Sequence, residues 1–231
     1  MNPLIVSASI KHTASVIFSH GLGDTARGWQ PLVMELAIQF PYINWVLPTA
    51  PIQPVTLNRG MKMTSWFDIL ELGETLNRKE DEPGMLKSVK TINDLVSAEI
   101  DKGIPASRIV VGGFSQGAAI SLLTGLTSER SLAGVVCLSG WLALSNKFPA
   151  MMTTTATKLP IFMGHGDSDM VVKYSKGKES HERLVQMGIK NIEFHTYPYM
   201  EHSFCDEEQR DLTKWLEQLL PAEIPEVGQK M

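Results

Sequence analysis

A chain of 231 residues is long enough for one large α/β domain or two small ones, and it can bury a sizeable core without disulfide or metal staples. Lysine and arginine number 21 against 25 aspartates and glutamates, a formal charge of −4 without a long run of one sign, which leaves no electrostatic footprint for nucleic acid. No apolar stretch approaches the roughly 18 residues of a transmembrane helix, and that excludes a helical membrane protein.

Along the chain, strand-length apolar runs rich in Val and Ile fall at 4–10, 14–20, 43–48, 108–114, 133–140, 159–166 and 191–197. The start, MNPLIVSASIKH, has neither the basic region nor the long apolar region of a signal peptide and reads as a first strand. IVVGG and VVCLS lack polar alternation, as strands buried on both faces of a parallel sheet do. Between the strands lie helix-period segments. QGAAISLLTGL is helix-like, and Met85, Val89, Ile92, Val96 and Ile100 recur every three or four residues over 84–102. Leu212, Trp215, Leu216, Leu219 and Leu220 form one apolar face over 206–220. The expected fold is α/β, a mostly parallel twisted sheet with helices on both faces. Residues 1–220 are expected to form a single domain, with 221–231, PAEIPEVGQKM, as a flexible C-terminal tail.

The stretch from about 49 to 83 has turn residues and no sustained period. It carries Met61, Met63, Trp66, Phe67, Ile69, Leu70 and Leu72, and reads either as cover for the sheet or as an apolar substrate surface. Two cysteines, Cys137 and Cys205, cannot build a disulfide framework or a Cys-rich zinc site and suit a reducing compartment. The cytoplasm is the expected location, with the nucleus as a second one.

Gly113-Phe114-Ser115-Gln116-Gly117 is a G-x-S-x-G set directly after one of these strands and before a helix-like run. A serine on so sharp a strand-to-helix turn is lifted out of the sheet, and glycines two positions away relieve the crowding. Serine needs a histidine base oriented by a carboxylate. The chain supplies an acid loop, His165-Gly166-Asp167-Ser168-Asp169, and then His202, each just after a strand. Asp167 and Asp169 compete for the orienting role; the H-G-x-x-D spacing resembles that of hydrolases and favours Asp169, 54 residues after Ser115 and 33 before His202. His12 and His181 read as surface groups, His195 as a hydrogen-bonded core residue, and His20 and His165 as residues that shape loops. Convergence of His165, Asp167, Asp169, His195, His202 and Cys205 on a metal would leave the serine elbow unexplained, so neither a metal nor an organic cofactor is expected.

Five motifs in order resemble those of the acyl-protein thioesterases, also described as lysophospholipase or carboxylesterase members of the α/β-hydrolase fold. They are HGLGDTARGW (20–29), SWFD (65–68), GGFSQGAA (112–119), HGDSD (165–169) and MEHSFCDEE (200–208). The resemblance implies Ser115 as nucleophile, His202 as general base and acid, Asp169 as its orienter, and the backbone N–H groups of Leu22 and Gln116 as oxyanion hole. It also implies an acyl groove walled by Ile69, Leu70 and Leu72, with Trp141 and Val171 opposite. The implied substrates are long-chain acyl thioesters, above all S-palmitoyl or other S-acyl cysteines of proteins, together with lysophospholipids. A short-chain carboxylesterase is the alternative, and a non-catalytic lipid-binding module the alternative of another class. Transient contact with a membrane surface and a homodimer paired through the apolar loop are further expectations. The chain departs from the family at Ala118, often glycine there, and at Met170 and Lys173, often prolines, whose loss is expected to loosen the acid loop. An N-terminal acylated cysteine, found in some relatives, is not expected, since no cysteine precedes Cys137.

Overall fold

The computed structural model describes residues 2–71 and 79–223. Among these, seven strands form one sheet: β1 (Leu4–Val6), β2 (Ala14–Ser19), β3 (Ile43–Leu47), β6 (Ile109–Phe114), β7 (Gly134–Leu138), β8 (Ile161–Gly166) and β9 (Ile192–Tyr197). Their order is β1-β3-β2-β6-β7-β8-β9, and only β1 runs antiparallel to its neighbour. Each sequence run becomes a strand, with β1 shorter than its run, ending at Val6.

Both sheet faces are covered, which is why the central strands lack polar alternation. Val111, Val135 and Met163 face α2 (Glu82–Asp101), α3 (Gln116–Thr127) and α5 (Tyr174–Gln186), in a core that includes Ile92, Leu122 and Leu184. Val110, Val136 and Phe162 face the other way, toward α1 (Ala26–Gln39) and α6 (Asp206–Leu219), and pack with Leu36, Leu212 and Trp215. A short helix, α4 (Phe148–Met151), follows β7. The strand order reverses between β2 and β6, and in open α/β sheets ligands bind outside the carboxyl ends of the strands at such a point.

The described part of the stretch 49–83 is more regular than its sequence suggests. It holds an antiparallel hairpin of β4 (Ile52–Val55) and β5 (Met61–Thr64), turned by Arg59 and Gly60, both at positive φ. Pro54 can sit in β4 because this two-stranded ribbon leaves it on an edge, where no N–H is needed. SWFD follows directly, with Trp66 and Phe67 each 1% exposed, so this part covers the sheet. Asp68 accepts from the Thr56 N–H (2.7 Å) and hydroxyl (2.5 Å), closing the segment on itself.

Of the expected tail, residues 224–231 lie outside the described residues. Arg108 holds the part before them: its Nη2 donates to the Pro221 carbonyl (3.0 Å), and its Nε stands 3.5 Å from Glu223.

Candidate active site

Ser115 sits between β6 and α3 at φ 55° and ψ −118°, a conformation that non-glycine residues rarely adopt. The turn is tight enough that a Cβ at Gly113 would lie 2.5 Å from the Ser19 carbonyl, and one at Gly117 2.5 Å from that of His20. Both obstacles are backbone. Gly117→Ala is therefore expected to destabilise the protein by about 3 kcal/mol, read as a lower urea midpoint; an unchanged midpoint would refute so close an approach.

The structure brings Ser115, His202 and Asp169 into one chain of hydrogen bonds. His202 Nε2 is 2.9 Å from Ser115 Oγ, and His202 Nδ1 is 2.7 Å from Asp169 Oδ2. Asp169 is 3% exposed, and its other oxygen accepts the N–H groups of Val171 and Val172, both at 2.9 Å. Burial by itself would raise the Asp169 pKa. The hydrogen bonds of His165 and His202, the charge of His202 and the Val171 amide outweigh it and hold the carboxyl well below the usual carboxylate range. An ionised Asp169 only accepts, so His202 Nδ1 donates and leaves Nε2 free to take the Ser115 proton.

Asp167 is exposed and has a different task. It accepts from the Tyr199 N–H (2.7 Å) and Ser168 hydroxyl (3.0 Å), tying the acid loop to the histidine loop. In the loop that carries Met170 and Lys173, Asp169 is held by its own side-chain hydrogen bonds.

Gln116 is 1% exposed, and the SWFD segment clamps its side chain: Oε1 accepts from the Trp66 N–H (2.8 Å), and Nε2 donates to the Phe67 carbonyl (2.7 Å). Its backbone N–H opens α3 and so stands outside the ladder of that helix. Leu22 lies on the turn after β2, next to Gly21, where a Cβ would come within 3.4 Å of Ser115 Cβ. His20, buried, donates from Nδ1 to the Gly21 carbonyl (2.6 Å) and accepts the Ala50 N–H at Nε2 (3.0 Å), bracing this turn. Burial lowers its pKa, in keeping with a neutral ring.

A cavity of about 620 Å³ opens beside Ser115 and is lined by Leu22, Gln116, Ile69, Trp141, Val171 and His202, among others. Leu70 is a correction. It lines a separate small depression with Phe67, Glu80 and Met85, while Ile69, which borders both spaces, is the residue of this segment that meets the cavity beside Ser115. Leu72 lies outside the described residues. Sequence reasoning missed the wall made by Trp29, Leu32, Leu57, Phe114 and Phe204. Trp29 packs against Phe114 and Phe204 with ring centroids 5.2 and 5.8 Å apart. The one-turn spacing of Trp29 and Leu32 was the available signal.

His195 is a second correction. It is half-buried on β9 between Glu193 (3.2 Å) and Asp211 (3.7 Å), stacked on Phe162, instead of lying in the core. His12 and His181 are also only partly exposed, His12 bonded to Ser15 (2.8 Å) and His181 stacked on Phe194.

Sheet order, elbow and cavity together define an enzyme of the α/β-hydrolase class. Residues 1–220 match the Phospholipase/Carboxylesterase family, and the chain belongs to it. It is 48% identical to acyl-protein thioesterase 1 of Cryptococcus neoformans, over 94% of this chain and 97% of that one. Identity to acyl-protein thioesterase 1 of Neurospora crassa is 45%, over 99% and 96% of the two chains. Among solved structures, Zea mays acyl-protein thioesterase 2 superposes with a TM-score of 0.86 at 31% identity, over 95% of this chain and 99% of that one.

Proposed function

We propose that the protein hydrolyses long-chain acyl thioesters, with S-palmitoyl and other S-acyl cysteines of proteins as its substrates and lysophospholipids as secondary ones. The observation that carries this reading is the apolar cavity of about 620 Å³ beside Ser115 Oγ. The relatives named as acyl-protein thioesterases support it.

In this reading Ser115 Oγ attacks the acyl carbonyl while His202 Nε2 takes its proton and Asp169 holds the ring in the required tautomer. The N–H groups of Leu22 and Gln116 receive the oxyanion. As the C–S bond breaks, His202 returns the proton to the departing thiolate, leaving an acyl-serine. Water, deprotonated by His202, then releases the fatty acid and restores Ser115. No step calls for a metal or an organic cofactor.

Each methylene buried in the groove contributes about 0.8 kcal/mol, so kcat/KM should climb with chain length until the cavity is full. The test is hydrolysis of a long-chain S-acyl peptide, a lysophospholipid and a short aryl ester, with Ser115→Ala as blank. Preference for the thioester, growing with chain length, is the expected result. Preference for the short ester with no gain from length would make this a short-chain carboxylesterase.

Among the described residues no helix is long and apolar enough to cross a membrane. Leu57 and Val171 line the cavity while remaining 36% and 61% exposed, which supports transient contact of its mouth with a membrane surface. The free thiols of Cys137 and Cys205 support the cytoplasm as the working compartment, with the nucleus as a second one.

A further inference from the structure

Glu208 takes no part in the chemistry above, yet it is 0% exposed on the first turn of α6, a few residues beyond His202. Among the described residues neither of its carboxyl oxygens has a hydrogen-bond partner. Its Oε1 occupies the notch over Gly164 on β8, where any Cβ would collide with it and would also lie 3.1 Å from the Tyr197 ring. The side chain thus joins the strand that leads into the Asp169 loop to the helix that follows the His202 loop. The 2.7 Å contact between Asp169 and His202 bridges the same two segments.

An ionised carboxylate here would be buried and uncompensated, which is costly. The groups around it offer no relief. Cys137 on β7, which packs on the other face of the sheet, is a thiol pushed up to about 12 by burial and brings no positive charge. On β9, Tyr197 is pushed up by burial and by the charges of Glu208 and Asp211, and His195, in register with Gly164, is engaged by Glu193 and Asp211. Cys205 and Asp211, at and on α6, bring no positive charge. Burial accordingly pushes the Glu208 carboxyl up to about 8.

We propose that Glu208 is a positioning residue for the hydrolysis: as a neutral carboxyl it seats β8 against the start of α6 and keeps Asp169 on His202, and its ionisation disables the site at alkaline pH. This rests on the hydrolase reading of Ser115. Because the folded pKa is raised, the stability that Glu208 contributes is complete below the ordinary carboxylate value and is lost as pH rises toward about 8.

The test is the rate at which a fluorophosphonate probe labels Ser115, followed against pH in the wild type and in Glu208→Gln, which keeps the shape and cannot ionise. The wild-type rate should fall about tenfold per pH unit above about 8, while Glu208→Gln keeps its neutral-pH rate through that range. Superimposed profiles would overturn the proposal. Should Glu208→Gln fail to fold, infrared titration of the wild type decides: a protonated-carboxyl band present at neutral pH and lost near pH 8 supports it, and absence of the band at neutral pH overturns it. No labelling of either protein at any pH is a separate outcome, which removes the hydrolase reading and this proposal with it.

Discussion

Ser115→Ala should lower kcat/KM by about a million-fold and leave the circular dichroism spectrum unchanged. Ser115 Oγ meets His202 Nε2 at 2.9 Å, and the neighbouring glycine contacts are made by backbone, so deleting the hydroxyl removes the nucleophile without opening the turn. Alanine keeps the cost of φ 55°, whereas glycine does not. Ser115→Gly should therefore be as inactive as Ser115→Ala but more stable by about 1 kcal/mol, a rise in Tm of about 2–4 °C. A wild-type rate in either variant would remove Ser115 from the chemistry. Equal Tm values for the two would show that the elbow stores no strain.

The main strands were legible because burial on both faces writes unbroken apolar runs such as IVVGG, and the amphipathic helices α2 and α6 because one apolar face meets water on the other side. Helix α5 was not, since its buried side is Lys176, Gly177, Ser180 and Leu184, which carries almost no hydrophobic period. Helix α1 was obscured by the internal Pro31, and β4 by Pro54. The chain order of Ser115, Asp169 and His202 could be read because each follows a strand end at the same sheet edge. What separates Asp169 from Asp167 is burial and aim, and two acids two residues apart in one loop look alike in sequence. The same limit explains Leu70: Ile69 and Leu70 are both apolar, and only the path of the chain decides which one meets the cavity. Trp29 and Phe204 are far apart in the sequence, and only folding brings them together as one wall.

Asp169→Asn should reduce kcat about ten-thousand-fold with KM little changed, because the damage is to proton handling and not to the groove. Asparagine can keep its carbonyl oxygen on the N–H groups of Val171 and Val172, where Asp169 Oδ1 stands at 2.9 Å from each. That choice leaves its NH₂ facing His202 Nδ1 across the 2.7 Å contact. The ring must then accept at Nδ1 and carry its proton on Nε2, which faces Ser115 Oγ and can no longer take a proton from it. The exchange also tests the linkage. The Asp169 carboxyl is held well below its usual range, so its contribution to stability is present above the unfolded carboxylate pKa and is lost as pH falls through the folded value. The Tm gap between wild type and Asp169→Asn should accordingly be full near neutral pH and narrow in acid. A gap independent of pH would mean that no ionised, hydrogen-bonded carboxylate sits behind His202, and a variant with wild-type kcat would mean that His202 does not need one.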